Sequence, residues 1–178
     1  MIFFLAIAVC VAVDQLVKWW TVANLGLYES APLLPGIVEL MYIRNTGGGF
    51  SILSDKTWLL TAVTAVLMLV LAVVLVKKMY DHPLAMWSLT LVIGGGIGNL
   101  IDRVRLGYVV DMFNLQFMNY PVVNVADIFV VVGAIGFAAY YLLLDDKVQK
   151  AKKAAQAAAP QGENEEDGNG TDHPAGDR

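Results

Sequence analysis

Residues 84–101 read LAMWSLTLVIGGGIGNLI, a largely apolar run without a charged side chain, and this run decides the fold class. A helix needs about 20 such residues to cross the hydrocarbon core of a bilayer. Three other runs, residues 2–20, 58–76 and 127–144, are similar in length and largely apolar. The pattern predicts an α-helical integral membrane protein with four transmembrane helices.

The composition supports this fold class, because 57% of the 178 residues are hydrophobic and only 16% are charged. Soluble domains are about a quarter charged. The net charge of −4 comes largely from acidic residues after Pro160 and argues against nucleic-acid binding. We predict a membrane domain over residues 1–144. Residues 145–178 should form a cytoplasmic tail, first rich in Lys and Ala and prolonging the last helix, then acidic and disordered.

The orientation follows from the basic residues at the helix ends. Lys77 and Lys78 lie between the second and third runs, and four more lysines follow the fourth run. Because cytoplasmic loops are enriched in Lys and Arg, both regions should be cytoplasmic. Both termini are then predicted inside, with the first and third loops on the outer face.

The first outer loop should contain a small β element. Residues 37–44 are rich in β-branched and aromatic side chains, residues 45–49 provide a glycine-rich turn, and residues 50–53 are apolar again. This order is typical of a hairpin. In the third loop, residues 108–113 and 121–123 should also be extended.

Several ionisable or amide side chains lie within or beside the predicted spans. Asp14, Gln15 and Lys18 share one helical face, so they could form a buried group that only fixes helix packing. Asn99, Asp102 and Arg103 share another face, where an interfacial Asp–Arg cap is the structural alternative. Asn124 and Asp127 begin the fourth span, where a helix N-cap would explain them. Glycines 94 and 98 have the spacing that lets helices approach closely.

These polar groups should converge at the outer interface, and the chemistry available there is limited to carboxylates. The two histidines, His82 and His173, lie in a cytoplasmic loop and in the tail, so a Ser-His-Asp triad is excluded there. The single cysteine, Cys10, allows neither a disulfide framework nor a cysteine metal cluster. Two aspartates that share a proton can hydrolyse a peptide bond. The spacing leaves four candidates for such a pair: Asp14, Asp102, Asp111 and Asp127.

Five ordered motifs between Asp14 and Asp127 resemble those of the bacterial lipoprotein signal peptidases, also called signal peptidase II. The motifs are Asp14-Gln15-Leu16-Val17-Lys18; Asn45-Thr46-Gly47-Gly48-Gly49-Phe50-Ser51; Gly98-Asn99-Leu100-Ile101-Asp102-Arg103; Val109-Val110-Asp111; and Asn124-Val125-Ala126-Asp127. Each motif alone is weak, whereas the ordered set on four spans is specific.

The resemblance implies an intramembrane aspartyl endopeptidase that removes the signal peptide from diacylglyceryl-modified prolipoproteins, cutting before the lipidated cysteine. It implies that Asp111 and Asp127 are the catalytic pair. The other motif residues would bind substrate or support the site: Asp14, Lys18, Asn45, Gly47, Asn99, Asp102, Arg103, Asn124 and Ala126. No cofactor or metal is implied. The expected partners are lipidated prolipoproteins and membrane lipids, and the expected state is a monomer in the bacterial inner membrane.

Two other classes of protein could carry intramembrane charges. A small proton-coupled transporter would use Asp14, Lys18, Asp102 and Asp127 as relay groups, but it should have an internal repeat and a site near the bilayer midplane. A non-enzymatic assembly factor would bind partner helices through the Gly94 and Gly98 face, which leaves Asp111 without a role.

Overall fold

A computed structural model describes residues 1–47 and 57–158. It contains four helices long and apolar enough to cross a membrane: α1 (Ile2–Asn24), α2 (Thr57–Val76), α3 (Pro83–Leu106) and α4 (Val125–Leu143). The four-helix prediction is confirmed. Three strands, β1 (Ser30–Leu34), β2 (Val38–Asn45) and β3 (Val109–Leu115), form one small sheet.

Helix α3 is the central element of the bundle. It packs against α1, α2 and α4 and has 12 buried residues, whereas α2 has two. It begins with Pro83 and is capped by His82, whose Nδ1 accepts from the Leu84 N–H at 3.2 Å. It was predicted to end at Ile101 but continues to Leu106. Gly107 ends it with a left-handed φ of 79°, a conformation that glycine adopts without steric cost.

The small β element is confirmed, but its pairing involves both loops. Strand β2 pairs with β1 in an antiparallel hairpin and with β3 on its other edge. Residues 50–53, predicted as the partner of the first strand, lie outside the described residues. The predicted extended segments of the third loop are present as β3 and as the Val123 pairing with Phe113. The sheet therefore ties the first loop to the segment that carries Asp111.

The Lys- and Ala-rich stretch is helical but does not simply continue α4. Helix α5 (Asp145–Ala158) begins after a break at Leu144. The hydroxyl of Tyr140 donates to Asp145 Oδ1 at 2.8 Å and joins the two helices. The acidic part of the tail lies outside the described residues.

The glycines of α3 permit close helix contacts, as the spacing of Gly94 and Gly98 predicts, and a Cβ on Gly94 would lie 2.7 Å from Cys10 Cβ in α1. A Cβ on Gly95 would collide with the carbonyl oxygen of Ala126 in α4, and a Cβ on Gly98 would lie 2.5 Å from Asp14 Oδ2 in α1. Gly95 and Gly98 therefore allow α4 and α1 to pack closely against α3. This contact brings the polar ends of α1, α3 and α4 together.

Gly95→Ala should lower the midpoint of thermal unfolding of the detergent-purified protein. The added methyl group meets rigid backbone, and overpacking of this kind costs about 1–3 kcal/mol, more than the roughly 1 kcal/mol by which alanine favours a helix. Gly96→Ala is the matched control, because the three atoms nearest to its methyl group belong to the flexible side chain of Met68. Equal midpoints for the two variants would contradict the close α3–α4 contact.

Candidate active site

The structure brings the predicted site residues to one end of the bundle. Asn45 ends β2, Asp111 lies in β3, and Asp127 lies in the first turn of α4. Asn99, Asp102 and Arg103 occupy the last turns of α3, while Asp14 and Lys18 come from α1. Five elements, three helices and two strands, thus contribute to one cluster of polar groups.

Asn124 links the two aspartates that the resemblance singles out. Its Nδ2 donates to Asp111 Oδ1 at 2.6 Å, and its backbone N–H donates to Asp127 Oδ2 at 3.2 Å. Its Oδ1 accepts from the Asp127 N–H at 2.9 Å, which completes a capping box at the start of α4. The N-cap alternative is therefore correct, and the same side chain also holds Asp111.

Asp111 is almost fully buried, at 1% exposure, and both of its oxygens accept hydrogen bonds. Besides Asn124, the Nδ2 of Asn45 donates to Asp111 Oδ2 at 2.8 Å. The N–H of Gly47 donates to Asn45 Oδ1 at 3.1 Å and orients that amide. Burial is the main cause that raises the pKa of Asp111 from 3.8 to about 7; the Asn45 hydrogen bond opposes the rise, and the charge of Asp127 adds to it.

Asn99 connects Asp127 to the ionic groups of α1. Its Nδ2 donates to Asp127 Oδ1 at 2.8 Å, so both oxygens of Asp127 also have a donor. Its Oδ1 accepts from Lys18 Nζ at 2.8 Å and from Asn124 Nδ2 at 3.1 Å. A continuous chain of hydrogen bonds therefore runs from Lys18 through Asn99 and Asn124 to both aspartates.

Lys18 is the centre of a buried ion triad. Its Nζ lies 2.9 Å from Asp14 Oδ2 and 3.0 Å from Asp102 Oδ2, and all three side chains are at most 4% exposed. The predicted contact of Lys18 with Asp14 is present. Gln15 donates to Asp14 at 3.2 Å and to Asp102 at 3.0 Å. Asp102 pairs with Lys18, not with its neighbour Arg103, so the Asp–Arg cap is not the arrangement.

Each carboxylate of the ion triad also holds the backbone beside one aspartate of the candidate pair. Asp14 Oδ1 accepts from the Ala126 N–H at 2.9 Å, and Asp102 Oδ2 accepts from the Val110 N–H at 3.1 Å. Ala126 precedes Asp127, and Val110 precedes Asp111. Because Lys18 binds both carboxylates, it fixes the two backbone segments relative to each other.

A cavity of about 420 Å³ opens beside the two aspartates. Its polar wall consists of Asn45, Asn99, Arg103, Asp111, Asn124 and Asp127. Its apolar wall comes from α4 and from residues 120–123. Arg103 interacts electrostatically with Asp127 and Asp111. The cavity therefore offers two carboxylates and a cation next to an apolar surface.

Comparison with known proteins identifies the family. The family model of signal peptidase (SPase) II matches residues 6–143. The chain belongs to the signal peptidase II family. It is 45% identical over 138 residues to the lipoprotein signal peptidase of Streptococcus pyogenes serotype M2, which covers 75% of this chain and 88% of the relative. It is 41% identical over 155 residues to the lipoprotein signal peptidase of Enterococcus faecalis, and the match covers 85% of this chain and 94% of that relative.

Solved structures support the fold. A bacterial membrane enzyme determined by the in meso method at 2.3 Å matches with a TM-score of 0.73 at 22% identity, covering 89% of this chain and 93% of that one. A second bacterial membrane enzyme, determined at 1.9 Å, matches with the same TM-score at 25% identity, and the match covers 80% of this chain and 93% of that one. As a signal peptidase II, the chain is a protease that crosses the bacterial inner membrane several times.

The structure adds residues to the signal peptidase II site that the motifs do not contain. Residues 120–123 line the cavity, and Val123 exchanges backbone hydrogen bonds with Phe113 of β3 at 2.8 and 3.0 Å. The α4 residues Ile128 and Val131 lie on the apolar wall. The extended character of residues 121–123 is visible in the sequence, but their contact with the cavity depends on the long-range pairing with β3.

Proposed function

We propose that the chain is an intramembrane aspartyl endopeptidase that removes the signal peptide from lipidated prolipoproteins, cutting before the lipidated cysteine. Prolipoprotein substrates are supported by the family and by relatives named lipoprotein signal peptidase. The observation that carries the aspartyl chemistry is the position of Asn124, which donates one hydrogen bond to Asp111 and another to Asp127. Two carboxylates on one bridging residue are close enough to act on one peptide bond.

The environments of the two aspartates support different roles. Asp111, whose pKa is raised to about 7, can keep its proton and act as the general acid. Asp127 lies in the first turn of α4, where the helix dipole favours a negative charge, and Arg103 lies in the same cavity. Asp127 is therefore the proposed general base.

In the proposed reaction, Asp127 takes a proton from water while the water oxygen bonds to the carbonyl carbon. Asp111 gives its proton to the carbonyl oxygen, which produces a gem-diol. Asp127 then gives its proton to the peptide nitrogen as the C–N bond breaks, and Asp111 regains a proton from the gem-diol hydroxyl. Both carboxyl groups thus return to their starting states.

The cavity suits a substrate that arrives within the membrane. A signal peptide is an apolar helix, and acyl chains on its cysteine hold the cleavage site at the interface, at about 0.8 kcal/mol for each buried CH₂. Helical peptide bonds are internally hydrogen-bonded, so the substrate must unwind locally before hydrolysis. The extended segment 121–123 on the cavity wall could pair with such an unwound strand.

The purified protein should release an intact signal peptide from a diacylglyceryl-modified prolipoprotein. The product should have the lipidated cysteine at its N-terminus, which mass spectrometry can verify. The same prolipoprotein without the lipid is the control and should be cut far more slowly, since it lacks the anchor. A product that begins at another residue would contradict the proposed cut position, and the absence of any cleavage would contradict the function.

The rate should fall on the alkaline side of about pH 7, by about tenfold per pH unit, because the general acid Asp111 must be protonated. Asn45→Ala should move this limb of the kcat/KM profile to higher pH, since the lost hydrogen bond favours the ionised form. Asn114→Ala is the control, because Asn114 donates to Glu39 at 2.7 Å in the sheet. If the alkaline limb of the Asn45→Ala profile lies at the same pH as in the unchanged protein, Asp111 is not the general acid.

The site should face the outer side of the membrane, with both termini inside. To test this, Ser30→Cys and Gln149→Cys can be made in a Cys10→Ala background, since both positions are exposed. An impermeant maleimide applied to intact spheroplasts should label the cysteine at position 30 and spare that at position 149, whereas both should react in detergent. Equal labelling of both in intact spheroplasts would overturn the proposed topology.

A further inference from the structure

A second cavity of about 580 Å³ lies between α1 and the end of α3. It shares no lining residue with the cavity beside the aspartates. Gln15, Lys18, Asp102 and Arg105 provide its polar lining, and Ala12, Leu16 and Trp19 provide much of its apolar lining. The ion triad therefore has one face toward the candidate active site and another toward this second cavity.

The deep part of this lining is mostly apolar, and its outer end has the basic Arg105 beside the apolar Val22 and Leu106. At 1.5 Å per residue, Ala12 lies roughly 18 Å below the end of α1 at Asn24, and Leu16 roughly 12 Å below it. Trp19 is 70% exposed near that end, where indole rings favour the interface. Arg105 is exposed in the last turn of α3. The order matches an amphiphile with an acyl chain below and an anionic group above.

The Arg105 guanidinium forms no ion pair within residues 1–47 and 57–158. Guanidinium groups bind phosphate oxygens in a bidentate geometry, and such charge-assisted bonds are among the stronger ones. A zwitterionic lipid also brings a cationic amine to this position, whereas an anionic lipid does not. The charge of Arg105 therefore favours an anionic headgroup.

We propose that this second cavity binds an anionic phospholipid, with its phosphate on Arg105 and an acyl chain along Leu16 and Ala12. The site does not depend on the proposed peptidase activity; only its assignment to the outer leaflet uses the proposed orientation. Since Lys18 and Asp102 form the wall of the cavity, the bound lipid excludes water from their ion pair. The interaction between buried charges is stronger without water.

The proposal can be tested by fluorescence quenching with brominated phospholipids. The chain has four tryptophans, so Trp20→Phe, Trp58→Phe and Trp87→Phe leave Trp19 as the single reporter. The bilayers contain mixed phosphatidylglycerol and phosphatidylcholine, and one of the two lipids is brominated in each experiment. The quenching of Trp19 should indicate about fivefold more phosphatidylglycerol at that site than in the bulk bilayer, which is the enrichment expected from one basic residue. A variant that keeps only Trp58, which is 72% exposed at the start of α2, is the matched reporter. It carries Lys56→Gln to remove the basic residue beside Trp58 in the sequence, and it should show no preference.

Charge variants then locate the headgroup. Arg105→Gln should remove the preference at Trp19, Arg105→Lys should keep most of it, and Lys77→Gln at the far end of α2 should leave it unchanged. Equal quenching of Trp19 by both lipids in the unmodified background would overturn the proposal, as would an undiminished preference in Arg105→Gln. The readout is independent of cleavage, so a protein that enriches phosphatidylglycerol but cuts no prolipoprotein would refute the proposed function alone.

Discussion

Asp111→Asn and Asp127→Asn should each reduce the rate of prolipoprotein cleavage by about 10²- to 10⁴-fold, the usual cost of losing a general acid or base. An amide is nearly isosteric with a carboxyl group, but it cannot take a proton from water or pass one to the substrate. Because the two aspartates act as a unit, the double variant should be little slower than either single variant. Initial rates with a lipidated prolipoprotein measure all three.

Controls must separate lost chemistry from lost structure. All four carboxylate oxygens of the pair accept hydrogen bonds from N–H donors. An asparagine at either position therefore points its NH₂ group at an existing N–H donor, and the hydrogen bond there is lost. Thermal unfolding of each variant must therefore be compared with that of the unchanged protein. Asp146→Asn, at an exposed position of α5, is the matched substitution and should keep full activity. Substantial cleavage by a folded Asp111→Asn or Asp127→Asn protein would contradict the assigned pair, and inhibition by metal chelators would contradict the aspartyl mechanism.

Lys18→Met should be the most destabilising single substitution of the ion triad, at about 3 to 5 kcal/mol for removing one partner of a buried ion pair. It leaves the carboxylates of Asp14 and Asp102 buried together without their shared ion-pair partner. Asp14→Asn should cost less, because Lys18 keeps Asp102 as its partner. Thermal or denaturant unfolding in a fixed detergent measures this order.

The second carboxylate changes what a double substitution does. From the sequence alone, Lys18→Met would be expected to compensate Asp14→Ala by removing an unpaired lysine. In the structure, that double variant leaves Asp102 buried without its ion-pair partner. Only the triple variant Asp14→Asn, Lys18→Met and Asp102→Asn removes all three charges, and it should recover part of the stability lost in Lys18→Met. If Lys18→Met and Asp14→Asn are equally stable, the ion triad is not formed in the membrane.

The sequence predicts much of this fold because the membrane imposes a simple rule. Runs of about 20 apolar residues identify spanning helices, and all four are found. The helix ends are less predictable, since α3 extends past Ile101 to a glycine that can adopt a left-handed conformation. The pairing of β2 with β3 joins two loops across two helices, and no local pattern encodes such a contact.

The candidate site was predictable as a set of residues but not as a network. The cost of burying charges identified Asp14, Lys18 and Asp102, and helical spacing placed Lys18 beside Asp14. Spacing could not reveal that Lys18 binds Asp102 on another helix, or that each triad carboxylate accepts a backbone N–H next to a candidate catalytic aspartate. Those contacts depend on the close approach of α1, α3 and α4.

The double role of Asn124 restricts which amino acids this position can accept. Aspartate caps helices well, but it would put a third carboxylate between two others. Serine and threonine also cap, but each has a single donor on a short side chain. Glutamine has the same amide but is not among the preferred caps. Asparagine alone combines a capping oxygen with an NH₂ group that reaches both Asp111 and Asn99. A saturation library at position 124 should therefore yield almost no active substitutes.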